Sequence, residues 1–138
     1  MRYTLVTDGA YSSKRDTGGL AFVFLKGEKL ILEYCNSYKH TTNNRMELGA
    51  IILGLKCIKN SIDSLAIVSD SMYCIGTITL NWKRKKNIDL WNEFDKELER
   101  VSDLCKNIEW VHIRGHQSSE DLYYKWNNYC DKLACGST

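Results

Sequence analysis

Residues 2–8 alternate between polar and apolar positions and carry β-branched and aromatic side chains, the pattern of a half-buried strand. Gly19 to Leu25 and Lys29 to Tyr38 read as two more strands, joined by a hairpin turn at Lys26-Gly27-Glu28. A polar, glycine-ended loop from Ser12 to Gly19 separates them from the first. The period then changes. Thr42 or Asn43 offers a helix cap, Glu47 follows in the first turn, and helical spacing continues to about Asn60. One stripe of this helix holds Glu47, Ala50, Ile51, Gly54 and Ile58, and a second buried row holds Met46, Ala50, Leu53 and Cys57. A strand at Leu65–Ser69 and helices at Ser71 to about Trp82 and around Ile88–Leu104 follow. A strand at Ile108–Ile113, a polar loop from Arg114 and a last helix to Ala134 complete the chain.

The order β-β-β-α-β-α-α-β-α predicts an α/β fold, a five-stranded mixed sheet flanked by helices. No linker, repeat or low-complexity tract interrupts it, so residues 1–138 are expected to form one domain. Right-handed crossovers favour the first and fourth strands as parallel neighbours, and sites in such sheets gather at the carboxyl ends of parallel strands.

Composition narrows this only a little. With 43% hydrophobic residues in 138, the chain can bury a real core. A formal charge of +2 is too small to attract nucleic acid globally, so any such binding depends on local patches. No stretch approaches the ~20 apolar residues of a membrane span. Met1-Arg2 runs straight into the first strand without a secretory signal, and the six cysteines are scattered through apolar segments. Reduced, buried thiols in a cytoplasmic protein are therefore expected. Cys130, Cys135 and His116 fit no common zinc spacing.

The chemistry lies in four acids placed where a fold avoids charge. Asp8 ends the run Tyr3-Thr4-Leu5-Val6-Thr7, and Asp70 ends Leu65-Ala66-Ile67-Val68-Ser69. Glu47 lies on a buried helical stripe, and Asp131 lies in the last helical segment, Asn127 to Ala134, beside Cys130 and Ala134. Buried carboxylates are costly unless paired, hydrogen-bonded or bound to metal. Four together call for a hard cation, Mg2+ first, and point to metal-dependent phosphoryl chemistry.

With those residues in place, the chain resembles ribonuclease H of type 1, the family that cuts RNA within RNA–DNA hybrids. The matching pieces run in order through nearly the whole sequence. They are Thr7-Asp8-Gly9, Thr41-Thr42-Asn43-Asn44-Arg45-Met46-Glu47-Leu48, Ser69-Asp70-Ser71-Met72-Tyr73, Asn81-Trp82-Lys83, Asn87-Ile88-Asp89-Leu90-Trp91, Trp110-Val111-His112-Ile113-Arg114-Gly115-His116 and Asn127-Asn128-Tyr129-Cys130-Asp131-Lys132-Leu133-Ala134. The resemblance implies an RNase H-like fold and an endonuclease that hydrolyses the RNA strand of a hybrid, leaving 5′-phosphate and 3′-hydroxyl ends. It implies two Mg2+ ions, or Mn2+, on Asp8, Glu47, Asp70 and Asp131, with His116 assisting in product release or proton transfer. It places Asn43 and Asn44 at the minor groove to read the 2′-hydroxyl, with Thr42 and Asn81 on a phosphate of the DNA strand. Met72 and Tyr73 would flank the groove. His112 is expected to be structural.

Several positions depart from the family. Tyr11-Ser12-Ser13-Lys14-Arg15-Asp16-Thr17 replaces a glycine- and proline-rich stretch, His40 stands where an arginine is common, and Ile78 stands for a channel tryptophan. The basic handle is reduced to Lys83, Arg84, Lys85 and Lys86, which read either as phosphate contacts or as a solvated loop. Gln117 to Lys125 is longer than usual. Leu122, Tyr123, Tyr124 and Trp126 are expected to extend the last helix and pack on the sheet, the rival being a base-stacking platform. Two other functions share the acids. A nuclease for DNA junctions or an exonuclease needs no paired asparagines, and a degenerate nucleic-acid binder requires misplaced geometry. The expected partner is the RNA–DNA hybrid alone, with no membrane and no obligatory protein; nothing in the sequence suggests more than a monomer.

Overall fold

A computed structural model describes residues 2–114 and 121–137. The chain runs β1 (Arg2–Ser12), β2 (Thr17–Lys26), β3 (Lys29–Lys39), α1 (Asn43–Lys56), β4 (Ile62–Ser69), α2 (Met72–Thr79), α3 (Ile88–Leu104), β5 (Cys105–His112) and α4 (Leu122–Ser137). The strands form one five-stranded sheet in the order β3-β2-β1-β4-β5. β1, β2 and β3 pair antiparallel, while β1 pairs parallel with β4 and β4 with β5. The mixed sheet and the element order expected from the sequence are both present.

Helices cover the two faces. α1 lays Leu48, Ile51, Ile52 and Leu55 on the face that carries Leu5, Phe22 and Ile67, and α3 adds Trp91, Phe94 and Val101 to the same cluster. On the other face α4 packs Cys130 and Ala134 against Val6, Ala21, Val23 and Val68. Tyr123, Tyr124 and Trp126 are half-buried against this second cluster. The last helix therefore does start early, and its aromatics pack on the sheet instead of forming an open platform.

Two glycines set how closely α1 lies on β1. A Cβ on Gly54 would stand 2.6 Å from a methyl of Leu5, so the helix descends onto the core. A Cβ on Gly9 would stand 2.5 Å from the backbone nitrogen of Glu47 and 2.5 Å from the carbonyl carbon of Met46. The second approach fixes where Glu47 can reach.

Three expectations need correction. Of the six free cysteines, Cys35, Cys57 and Cys135 are exposed, so only Cys74, Cys105 and Cys130 are buried thiols. Cys57 misses the core because α1 ends at Lys56, with Cys57 as its cap. Asp8 also does not end its strand, because β1 continues to Ser12 while still paired with β2.

Candidate active site

The site forms where the parallel part of the sheet splits. The β1–β4 pairing runs as far as Val6↔Val68. Asp8 and Asp70 each lie two residues beyond that last pair, so the shared register sets them side by side. Beyond this point β1 continues with β2, whereas β4 ends and Ser71 caps α2 by accepting from the Cys74 amide at 3.1 Å. This divergence opens a crevice outside the carboxyl ends of two parallel strands. Thr7 Oγ1 donates to the Val68 carbonyl at 3.1 Å and holds the fork together.

Glu47 enters from α1, one turn past the Thr42 cap. Asp8, Glu47 and Asp70 each bring a carboxylate oxygen within 4.8 Å of the others, and theirs is the only such metal-capable group among the described residues. Asp8 is 3% exposed and Glu47 is 6% exposed, with Asp70 half-buried at the mouth. Asp8 accepts from the Gly9 amide at 2.9 Å. Glu47 Oε1 and Asp70 Oδ1 are buried with no hydrogen-bond partner.

The electrostatics follow from that crowding. Burial, then the charges of Asp70 and Asp131, push the Asp8 carboxyl up to about 8. Burial, then the charges of Asp8 and Asp70, hold the Glu47 carboxyl well above the ordinary range. Left to itself, the cluster keeps protons at neutral pH because it cannot hold three negative charges in a dry cleft. A divalent cation removes that conflict. The all-oxygen donor set with two orphaned oxygens fits a hard ion such as Mg2+ or Mn2+.

Asp131 stands apart from the three. It is half-buried on α4 and acts on Asp8 through its charge, at the edge of the cluster. Cys135, one helical turn on, lies with its Sγ 3.8 Å from Asp131 Oδ1. α4 is fixed to β1 by Asn127, whose Nδ2 donates to the Thr7 carbonyl at 3.3 Å, and by Cys130, whose thiol faces the Val6 carbonyl at 3.4 Å. Cys130 is thus committed to the core and Cys135 to the surface, which removes the pair as a zinc site. His112, at the end of β5, sets Nε2 3.3 Å from the Asp70 carbonyl and so braces the β4 terminus. His116 and the segment 117–120 lie outside the described residues.

The surface around the cluster divides clearly. Thr42 is the α1 cap, its Oγ1 accepting from the Arg45 amide at 3.2 Å, which leaves the amides of Asn43 and Asn44 exposed at the helix start. Asn81 is exposed in the left-handed region, φ 58°, just after α2. Met72 is exposed beside Asp70. Tyr73 is half-buried, and its hydroxyl accepts from Trp91 Nε1 at 3.0 Å and Asn87 Nδ2 at 3.1 Å, inside the α2–α3 packing. Arg45 reinforces the same corner through a two-pronged pair with Asp89 at 2.8 and 3.0 Å.

The basic run also splits. Arg84 is held over the Trp91 ring at 4.7 Å and paired with Asp95 at 2.7 Å, whereas Lys83, Lys85 and Lys86 are exposed. Sequence reasoning gave Trp82 no role of its own; its half-exposed ring lies against Gly76, directly before the basic run. A large ring directly after Asn81 was the available signal. Ile78 is half-buried against the main core and supplies no aromatic surface.

Gly9 gives a direct test of this geometry. Gly9→Ala must push α1 off β1, because the obstructing atoms are backbone. The expected result is a loss of about 1–3 kcal/mol from overpacking. Cleavage should fall by about 10²-fold, the cost of moving a functional group by ~1 Å. Thermal melts check the first and steady-state kinetics the second.

A mixed sheet with carboxylates gathered at the fork of two parallel strands is the arrangement of an α/β enzyme whose acids could hold a divalent cation. The RNase H family model matches residues 1–137. Ribonuclease H of Acetivibrio thermocellus is 36% identical over 96% of this chain and 92% of its own. Ribonuclease H of Trichodesmium erythraeum is also 36% identical, over 95% of this chain and 85% of its own. RNase H1 from Halobacterium salinarum superposes with a TM-score of 0.75 over 99% of this chain and 97% of its own, at 19% identity, a likeness of fold. The chain belongs to the ribonuclease H family and is a ribonuclease H hydrolase.

Proposed function

We propose that the protein cuts the RNA strand of RNA–DNA hybrids internally, leaving 5′-phosphate and 3′-hydroxyl ends, at a centre of two Mg2+ ions. The carrying observation is the cluster of Asp8, Glu47 and Asp70 with its two orphaned buried oxygens. These three residues would hold the metal, with Asp131 supplying a fourth carboxylate from the edge. The chemistry such a centre supplies is activation of a water and charge stabilisation on the leaving 3′-oxygen.

The remaining residues bind and orient. Asn43 and Asn44 each offer a donor and an acceptor, which suits the 2′-hydroxyl that distinguishes RNA. Because Thr42 does the capping, neither amide is needed by the helix. The Thr42 hydroxyl spends only its acceptor on the cap and keeps its proton for a phosphate of the DNA strand, with Asn81 as the second contact. Met72 packs along the groove. By its likeness to the family, His116 would assist in product release or proton transfer.

Lys83, Lys85 and Lys86 supply phosphate contacts, with Arg84 held back by Trp91 and Asp95. Replacing the three lysines by glutamine should weaken hybrid binding and flatten its dependence on log salt by up to about 2–3 units, close to 0.9 per lost contact. Arg84→Gln should instead lower thermal stability with little change in that slope. A salt slope unaltered by the triple change would refute the lysine assignment.

Cleavage of an end-labelled RNA–DNA hybrid in magnesium, beside double-stranded RNA and DNA controls and an Asp70→Asn protein, tests the function. Internal cuts in the hybrid's RNA alone, lost in the variant, are expected. Tight hybrid binding without cleavage would instead favour a degenerate binder.

A further inference from the structure

The loop after β1 and the junction before α1 are tied together by a small polar network. Tyr11 Oη donates to Asp16 Oδ1 at 2.8 Å, and His40 Nδ1 lies 2.5 Å from Asp16 Oδ2. The His40 backbone amide closes the ring by donating to the Asp16 carbonyl at 3.2 Å. Both Asp16 and His40 sit in the left-handed region, at φ 51° and φ 57°. For residues with a Cβ that conformation is uncommon and must be held by its surroundings.

Stability does not account for this arrangement. The His40 and Asp16 side chains are 84% and 46% exposed, and ion pairs that open to water contribute little. What the network fixes is the course of the chain. His40 lies two residues before the α1 cap Thr42, directly upstream of exposed Asn43 and Asn44. The first turn of α1 carries no acidic residue, so it presents a helix N-terminus suited to an anion.

We propose that Asp16, supported by Tyr11, is a positioning residue for nucleic-acid binding. It aims His40 and holds the segment from Lys39 to Thr42 so that the start of α1 meets the duplex in one orientation. This inference rests on the function proposed above. With Nδ1 turned to the carboxylate, Nε2 is the nitrogen left for the substrate. When the ring carries both protons, Nε2–H donates to a phosphate oxygen. The other charged or titratable groups around His40 are Lys39 on its own strand, Tyr38, Arg45 on α1 and Glu93 on α3, which line the same cleft of about 310 Å³. Arg45 is committed to Asp89 and Glu93 to Lys56, so Asp16 is the carboxylate in contact with the ring.

Steady-state cleavage of a hybrid by the whole chain, with Asp16→Ala, Asp16→Glu and Tyr11→Phe variants, tests the proposal. Asp16→Ala is expected to raise KM about five- to twentyfold, the scale of a charge-assisted contact, with kcat within about twofold. Asp16→Glu should recover most of the rise, and the melting temperature should move little. Tyr11→Phe, which removes one hydroxyl, should raise KM by about twofold and carries the test if Asp16→Ala fails to fold. Unchanged KM, or a fall in kcat at constant KM, overturns the inference while leaving a hybrid-cutting wild type intact. A wild-type protein that does not cut the hybrid overturns both.

Discussion

Asp8→Asn and Asp70→Asn should each cut hybrid cleavage by at least about 10³-fold, roughly 4 kcal/mol of barrier, and each should raise the melting temperature of the metal-free protein. Both results come from the same geometry. An amide keeps the volume of the carboxyl but cannot carry the charge that holds a divalent cation. In the cleft that charge is also a liability, because burial beside other acids makes the folded protein hold a proton on Asp8 that the unfolded chain gives up. Neutralising one should stabilise the fold by about 1–3 kcal/mol, several degrees for a domain of this size. The hybrid's affinity should change far less than the rate, since the contacts proposed for it lie on α1, near Asn81 and on the lysines. Lower stability in chelator, or activity within about tenfold of wild type, would show that the cluster is not the metal-holding centre.

The parts of this site that could be read in the sequence are those imposed by solvation. A carboxylate closing an apolar run, as at Asp8 and Asp70, or on a buried stripe, as at Glu47, conflicts with burial wherever the chain goes, and that conflict is visible without coordinates. Pairing decisions are less visible. Gly9 to Ser12 have weak strand character, yet they extend β1 because β2 stands opposite with Gly18 and Gly19. Ile62 to Ser64 and Cys105 to Asn107 join the sheet because β4 and β5 pair there, so β5 starts directly after α3 with no intervening loop.

Contacts far apart in sequence were hidden for a different reason. Asp16 and His40, Arg45 and Asp89, and Arg84 and Trp91 are ordinary polar or aromatic residues whose roles exist only in their partners. Four adjacent cations look alike in a sequence, and only the nearby indole and Asp95 single out Arg84. The separation of Asp131 from the other three acids has the same origin. The sequence places it on a helix beside Cys130 and Ala134, but where α4 crosses the sheet decides how far its carboxylate stands from Asp8.

Without metal, stability should fall as pH rises from about 4 to about 8, and magnesium should remove that fall. Asp8 carries the argument. Its carboxyl titrates at 3.8 in an ordinary setting and about 8 in the fold. Between those values the unfolded chain gives up the proton while the folded chain keeps it, so each step upward in pH favours unfolding; above about 8 both states are ionised and the loss levels off. The full span corresponds to roughly 5–6 kcal/mol at 1.36 kcal/mol per pH unit. Water at the half-buried mouth near Asp70 screens the cluster, so a loss of about 2 kcal/mol or more is expected. Divalent cations bind deprotonated carboxylates of the folded state, so saturating magnesium should raise the melting temperature much more at the alkaline end of the window than at the acidic end. Calorimetry in chelator and in magnesium, with Asp8→Asn as the comparison, reads this titration together with that of Glu47, which the Asp8 charge raises. A flat profile in chelator, or a magnesium shift independent of pH, would mean that the buried acids are not the ionisation on which metal binding depends.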